Sequence, residues 1–292
     1  MNEALMLRQT PDMDEQAFER WQSLLEARTG VHLPIARKSF LLLALSMRMR
    51  ELVLDDYDSY LAYIQDGSHA GFEWACLVDL LTVHDTRFFR NPESIELVRS
   101  FCRNVLQHDQ GANKRNLTMW SVGCSTGEEV YSLVMTLTAL QQELGAFYFG
   151  VTGSDISYPA LATAREGIYH LRRLTGVSDD MRAQCFQACG DDYYQVLPAL
   201  RQRTCFMQGN VLDAATMPKQ QFDIIYCQNV LIYFQPERRR LMLNQIVAHL
   251  KPGGMVVLGP GEVLRWSHPQ LTRLQNKHCL AFTHRGQHTH AE

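Results

Sequence analysis

No run of about 18 apolar residues occurs in this 292-residue chain, so no transmembrane helix is expected and no membrane insertion with it. The opening stretch MNEALMLRQTPDMDEQ carries acids where an export signal needs a basic start and an apolar core, and a cytoplasmic protein is the expectation. The eight cysteines (Cys76, Cys102, Cys124, Cys185, Cys189, Cys205, Cys227 and Cys279) include no C-x-x-C pair. Neither a disulfide framework nor a zinc knuckle is suggested, and the thiols read as small buried apolar groups. Net charge is nearly absent as well: 28 Lys and Arg against 31 Asp and Glu leave a formal -3. Nothing global draws the chain to nucleic acid, so any electrostatic argument must be local. Low-complexity segments and internal repeats are also missing.

Two patterns fill the chain. From about Asp12 to Leu81 apolar residues recur at helical spacing, as in Phe18, Trp21, Leu24 and Leu25, with few glycines. The longest helix is predicted through PIARKSFLLLALSMRMREL, with Pro34 in its first turn and Leu52 near its end, and another through YDSYLAYIQ. Beyond TRFFRNPES the pattern becomes alternation of strand and helix. Strands are expected at Leu117–Val122, in FYFGVTGSD, CFMQGNV, FDIIYCQNV and MVVLG, with HCLAFTH pairing antiparallel at the sheet's end. Helices are expected over Glu128–Leu144, from Pro159 through Arg165, and in PERRRLMLNQIVAHL; Gly167–Arg203 reads as irregular. The expected organisation is a helical domain over residues 1–82, an α/β domain with a parallel sheet over 83–286, and a tail, 287–292.

The first strand-to-helix turn of such a sheet approaches its ligand most closely. Here that turn is GCSTGEE. A phosphate loop needs a lysine after its last glycine, whereas Gly127 is followed by Glu128 and Glu129; the dinucleotide fingerprint fails because Ser125 replaces its second glycine. Acids at this point call for a ligand with positive charge. S-adenosylmethionine, which carries an ammonium and a sulfonium and no phosphate, meets that demand. Gly123 and its small neighbours would admit the methionyl part, Glu128 would accept from the amino group, and Asp155 would chelate the ribose diol. Asn210 and Asn229 follow later strands at the same edge. Each residue also has an ordinary explanation: Gly-rich turns are common, Glu129 reads as a solvated helix residue, Asp155 as a helix cap, the asparagines as turn residues. Their joint placement at successive strand ends is what points to a cofactor.

The segments TRFFRN, WSVGCSTGEEVYSL, SDIS, AREGIYHLRRL, GNVLD, FDIIYCQNVLIYF and LKPGG together resemble the CheR-type methyltransferases, which methylate glutamates on chemoreceptors. RKSFLLLALSMRMREL and YDSYLAYI are similar to the family's helical N-terminal domain. The resemblance implies a Rossmann-like class I S-adenosylmethionine-dependent methyltransferase fold, an all-α N-terminal domain and a small β subdomain over 186–206. It places His84, Thr86, Arg90, Gly123, Glu128, Asp155, Asn210, Val211, Gln228 and Asn229 around S-adenosylmethionine, whose product is S-adenosylhomocysteine. Arg90 would orient the incoming acid and Tyr233 would lie near the reacting methyl group. Three positions depart from the pattern: His84 stands where asparagine is common, Gln228 where arginine is usual, and GPGE, with Glu262, replaces G-H-S-E.

The partner implied is the helical cytoplasmic domain of a chemoreceptor, met through a basic surface carrying Arg37, Lys38, Arg48 and Arg50. At 100° per residue Arg37 and Arg48 share a helix face and Arg50 does not. QACGDDYYQV has a single glycine where members that dock on a receptor's C-terminal pentapeptide carry a longer glycine-rich loop, so no pentapeptide tether is expected. A methyltransferase with another substrate and a non-catalytic cofactor-binding partner remain alternatives, as does membership of a pilus-driven twitching branch.

Overall fold

The N-terminal helices follow from their apolar spacing and their caps. In the computed structural model, which describes residues 12–82, 85–108, 116–216, 221–263 and 265–286, the chain falls into two compact units, 1–83 and 84–292. The first unit holds α1 (Glu15–Thr29), α2 (Lys38–Leu52), α3 (Tyr57–Gln65) and α4 (Ala70–Leu81). Asp14 caps α1 by accepting from the backbone N–H of Ala17 at 2.6 Å, and Gly30 closes it at φ 76°. α2 begins later than the sequence predicts. Pro34, with an extended ψ of 154°, leads into a separate 3-10 turn over Ile35–Arg37, because proline's fixed φ suits the entry to a turn as well as a first helical position.

Phe18, Trp21, Leu25, Leu41, Leu45, Tyr60, Ile64 and Leu77 form the buried interior of this unit, and each full-sized apolar side chain contributes about 1.5–3 kcal/mol. A charged group shares that interior. Arg48, only 9% exposed, donates through Nε and Nη2 to the two carboxylate oxygens of Glu73 at 2.8 and 2.7 Å. Tyr60 Oη donates to the same carboxylate at 2.6 Å, and Arg48 also meets Glu51. The fork holds the guanidinium's pKa above its ordinary value. Arg48 therefore does not belong to a docking surface: hydrophobic neighbours on α2 carry it inward, and bidentate pairing with Glu73 keeps it there.

The second unit opens with α5 (Pro92–His108), a helix the sequence reading did not single out, and continues through β1 (Asn116–Val122), α6 (Glu128–Leu144), β2 (Tyr148–Asp155) and α7 (Tyr158–Glu166). β3 (Ile168–His170), α8 (Asp179–Cys185), β4 (Phe186–Gly190), β5 (Tyr193–Val196), α9 (Pro198–Arg201) and β6 (Thr204–Gln208) follow. β7 (Phe222–Cys227), α10 (Pro236–Val247), β8 (Leu250–Leu258), β9 (Leu271–Arg273) and β10 (Leu280–His284) complete it. The seven-stranded sheet runs β6-β2-β1-β7-β8-β10-β9. Its first five strands are parallel, and β10 pairs antiparallel with both β8 and β9.

Leu117, Met119, Ile224 and Tyr226 are buried together with Val130, Leu133 and Leu137 of α6, and Trp120 and Val122 are buried as well, as expected for strands covered on both faces. The chain builds outward from β1 to β2 and β6, then returns to β7 on the other side. β1 and β7 thus flank the topological switch point, where the carboxyl ends of the strands open a crevice. The stretch read as irregular contains a second sheet, β3-β5-β4, all antiparallel. It recruits Ile168–His170 from well before residue 186, while 204–208 belong to the main sheet, so the small β element differs from the expected span 186–206. Three-residue β3 has too little periodicity to be legible alone.

Candidate active site

The turn after β1 is stitched to the end of β2. The backbone N–H groups of Gly123 and Cys124 both donate to Ser154 O, at 2.8 and 3.0 Å. Gly123 has φ 69°, and a Cβ there would stand 2.3 Å from Val230 Cγ2; at Gly127, φ 91°, it would stand 2.8 Å from Ala164 Cβ. Both glycines are thus required by packing within the protein, Gly123 against the segment after β7 and Gly127 against α7. Ser125, at φ 48°, donates its N–H to Asp155 Oδ2 at 2.7 Å, and Ser157 N–H donates to Oδ1 at 2.9 Å. Asp155 therefore ties the glycine turn to the end of β2 and remains half-buried, a carboxylate held in place at the lip of the crevice.

The two glutamates that open α6 differ in their surroundings, and neither is a solvated helix residue. Glu128 is fully buried. Its Oε1 accepts from Arg173 Nη1 at 2.6 Å and its Oε2 from Thr126 Oγ1 at 2.6 Å. Within the protein this carboxylate is thus already paired, with Arg173 at 2.6 Å. Glu129 is not solvated. It is half-buried, accepts from Ser121 Oγ at 2.7 Å, and burial pushes its pKa up to about 8, helped by Glu262 and opposed by Ser121 and Arg90.

The segment from Asp85 to Asn91 precedes α5. Phe88 is fully buried against Tyr169 and Phe186, and Phe89, at φ 52°, donates its N–H to Ser132 Oγ at 2.9 Å. These anchors leave Thr86 and Arg90 half-buried. Arg90 pairs with Asp85 at 3.2 Å and is close enough to Glu129 to lower its pKa. His84 lies outside the described residues.

After β7, Gln228 is 4% exposed. Its carboxamide oxygen accepts from Asn91 and from Tyr226 Oη at 3.0 Å, and Tyr226 Oη also bonds Ser94. Gln228 thus links β7 to the start of α5. Asn229 takes φ 61°, and Tyr233 ends the 3-10 turn Leu231–Tyr233; both are half-buried. Beyond β6, Asn210 and Val211 are half-buried, and Asn210 Oδ1 accepts from Leu212 N–H at 3.0 Å. Sequence reasoning missed Asn91, Ser121 and Arg173; the contacts of Asn91 with Gln228 and of Arg173 with Glu128 are distant along the chain, and that of Ser121 with Glu129 spans the strand-to-helix turn.

Four strand ends thus bring Asp155, Glu129, Asn210, Asn229 and the Thr86–Arg90 segment to one edge of a sheet ordered for class I S-adenosylmethionine-dependent methyltransferases. The donor set is acidic and amide-bearing, which fits a cationic nucleoside. The CheR methyltransferase SAM-binding domain matches residues 84–279, and the CheR all-alpha domain matches residues 16–82. Chemotaxis protein methyltransferase 1 of Vibrio cholerae is 30% identical over 86% of this chain and 90% of its own length. The chemotaxis protein methyltransferase of Klebsiella aerogenes is 32% identical, covering 86% and 84%. The probable biofilm formation methyltransferase WspC of Pseudomonas putida is 32% identical over 86% of this chain and 57% of its own. The chain belongs to the CheR methyltransferase family and is an S-adenosylmethionine-dependent methyltransferase. Among the described residues no helix is long and apolar enough to cross a membrane.

Proposed function

We propose that this enzyme methylates glutamate side chains on the helical cytoplasmic domain of chemoreceptors, giving γ-glutamyl methyl esters and S-adenosylhomocysteine, and that it works in the cytoplasm. The observation that carries the cofactor half is the pairing of Asp155, fixed by Ser125 and Ser157, with Glu129 across the same turn. Asp155 would hold the ribose diol and Glu129 the ammonium, with Asn210, Val211 and Asn229 beside the adenosine. When bound, S-adenosylmethionine would supply an electrophilic methyl group open to in-line attack by a receptor carboxylate, with S-adenosylhomocysteine as the leaving group that keeps the S–CH3 bonding pair. The nucleophile is ionised at neutral pH, near its ordinary pKa of about 4.3, so no general base is needed. The protein's share is positioning and exclusion of water. Arg90, half-buried and singly paired to Asp85, would orient the incoming carboxylate, and Tyr233 would donate a hydrogen bond to it.

The docking surface is narrower than the sequence suggested. With Arg48 buried, Arg37 and Arg50 are exposed, while Lys38 donates to Met13 O. These three would meet acidic receptor helices, with binding that weakens as salt rises. A pentapeptide tether is not part of this reading, which the two-residue turn Asp191–Asp192 between β4 and β5 supports. Labelled S-adenosylmethionine and receptor cytoplasmic fragments test the proposal. Wild type should transfer label that base releases as methanol, and Asp155→Ala should lose it. Cofactor binding without transfer to any receptor fragment would refute the substrate assignment and favour another acceptor or a non-catalytic partner.

A further inference from the structure

The segment after β7 carries Asn229 and Tyr233. Asn229 sits at φ 61°, a left-handed backbone that asparagine enters more readily than other side-chain-bearing residues but that surrounding contacts must still hold in place. Those surroundings are unusual in their charge. Glu262, in the GPGE stretch after β8, is 1% exposed, and no cation pairs with its carboxylate among the described residues. Instead its Oε1 accepts from Leu231 N–H at 3.1 Å and its Oε2 from Gly259 N–H at 2.8 Å; burial pushes its pKa up, opposed by these N–H groups and by those of Asn229 and Ile232.

Arg239, on α10, completes the arrangement from the other side. Its Nε donates to Phe234 O at 2.7 Å, its Nη1 to Glu262 O at 2.9 Å and its Nη2 to Ile232 O at 3.4 Å. One anion therefore gathers the loop's N–H groups and one cation gathers its carbonyls, and both tie residues 229–234 to residues 259–262. A buried carboxylate without an ion-pair partner is a poor way to gain stability, since apolar residues of similar volume do as well or better. It is an effective way to fix a backbone, because charged acceptors and donors hold hydrogen-bond geometry tightly.

We propose that Glu262 and Arg239 are positioning residues for methyl transfer, acting through the loop that presents Asn229 and Tyr233; this rests on the placement of that loop in the active site proposed above. Neither touches the reacting groups. Removing either should let Asn229 relax from its left-handed conformation and displace Tyr233 with it.

Glu262→Gln keeps the volume but turns an amide N–H toward a backbone N–H, and Arg239→Lys keeps the charge but cannot span three carbonyls. Steady-state methyl transfer to receptor fragments, measured 20 °C below each variant's own Tm, is the test. For both variants KM for S-adenosylmethionine should rise and kcat should fall, each by about tenfold, as expected for losing one or two charge-assisted hydrogen bonds. KM for the receptor fragment should stay within twofold. Variants that melt earlier but keep kcat and cofactor KM within twofold of wild type would make the clasp a purely structural device and overturn the proposal. Calorimetry on wild type separates the two layers: no cofactor binding would overturn the active-site reading itself and this inference with it.

Discussion

Glu129 makes cofactor affinity a function of pH in a direction the structure fixes. Its carboxyl moves from an ordinary 4.5 to about 8, so at pH 7 the free enzyme holds a proton there that the unfolded chain has already released. Ionising it in place at high pH costs about 4–5 kcal/mol, at 1.36 kcal/mol per pH unit, of which about 3 kcal/mol is felt at pH 7. This group's folded pKa is raised, so its contribution to apoenzyme stability is full below about 4.5, falls as pH rises, and is lost once pH passes about 8. An ammonium arriving beside it favours the ionised form, so the proton must leave on binding. Cofactor affinity should then rise about tenfold per pH unit between pH 6 and 7.5, a window below the point where an α-amino group itself deprotonates, about 8. Titration calorimetry in buffers of different ionisation enthalpy reads both affinity and the released proton. In Glu129→Gln the slope should vanish, and the apoenzyme should no longer lose stability from pH 5 to 8. Less than a twofold change per pH unit in wild type, or an unchanged slope in the variant, would refute the assignment of Glu129 to the ammonium.

Three further outcomes follow from the packing. Arg48→Met leaves the Glu73 carboxylate buried and uncompensated and should lower stability by about 3–5 kcal/mol in urea unfolding, most of it regained in Arg48→Met/Glu73→Leu; a loss below 1 kcal/mol would mean that the pair is not desolvated. Gln228→Arg, which restores the residue the family pattern leads one to expect, should cost about 1–3 kcal/mol and gain no activity, because it breaks the bonds from Asn91 and Tyr226; a variant with higher kcat/KM would show the position reads the cofactor after all. Gly123→Ala should destabilise by more than about 1 kcal/mol, since φ 69° and Val230 both exclude a methyl group; a neutral variant would refute the packing role.

The sheet and its helices were legible because their apolar runs are long. β1, β2 and β7 read as strands from residues such as Met119, Val151 and Ile225, buried on both faces, and α6 read as a helix from its start at Glu128. The elements that escaped are short or mixed. β3 has three residues, and α5, with its charges and serine, followed a motif that drew attention to itself. The positions of Asp155, Asn210 and Asn229 were readable because a ligand in a parallel sheet sits at strand ends, so that finding the strands located the residues.

What adjacent residues do was not readable, and α6 shows why. Glu128 and Glu129 lie 100° apart on one helix, so which of them finds a cation within the protein depends on Arg173, 45 residues further on, and no local pattern encodes that meeting. Arg48 and Arg50 differ in the same way, one drawn inward by Glu73 and the other left outside. The reading of GPGE as a departure also had a physical limit. A sequence displays Glu262 as an acid near glycines, whereas its carboxylate also meets the backbone N–H of Leu231, 31 residues away, which only the fold brings to it. An enzyme whose chemistry needs no base can place its buried charges in this way, because their work is to hold backbone in position. The acids most informative about such a site are therefore those whose partners are main-chain groups.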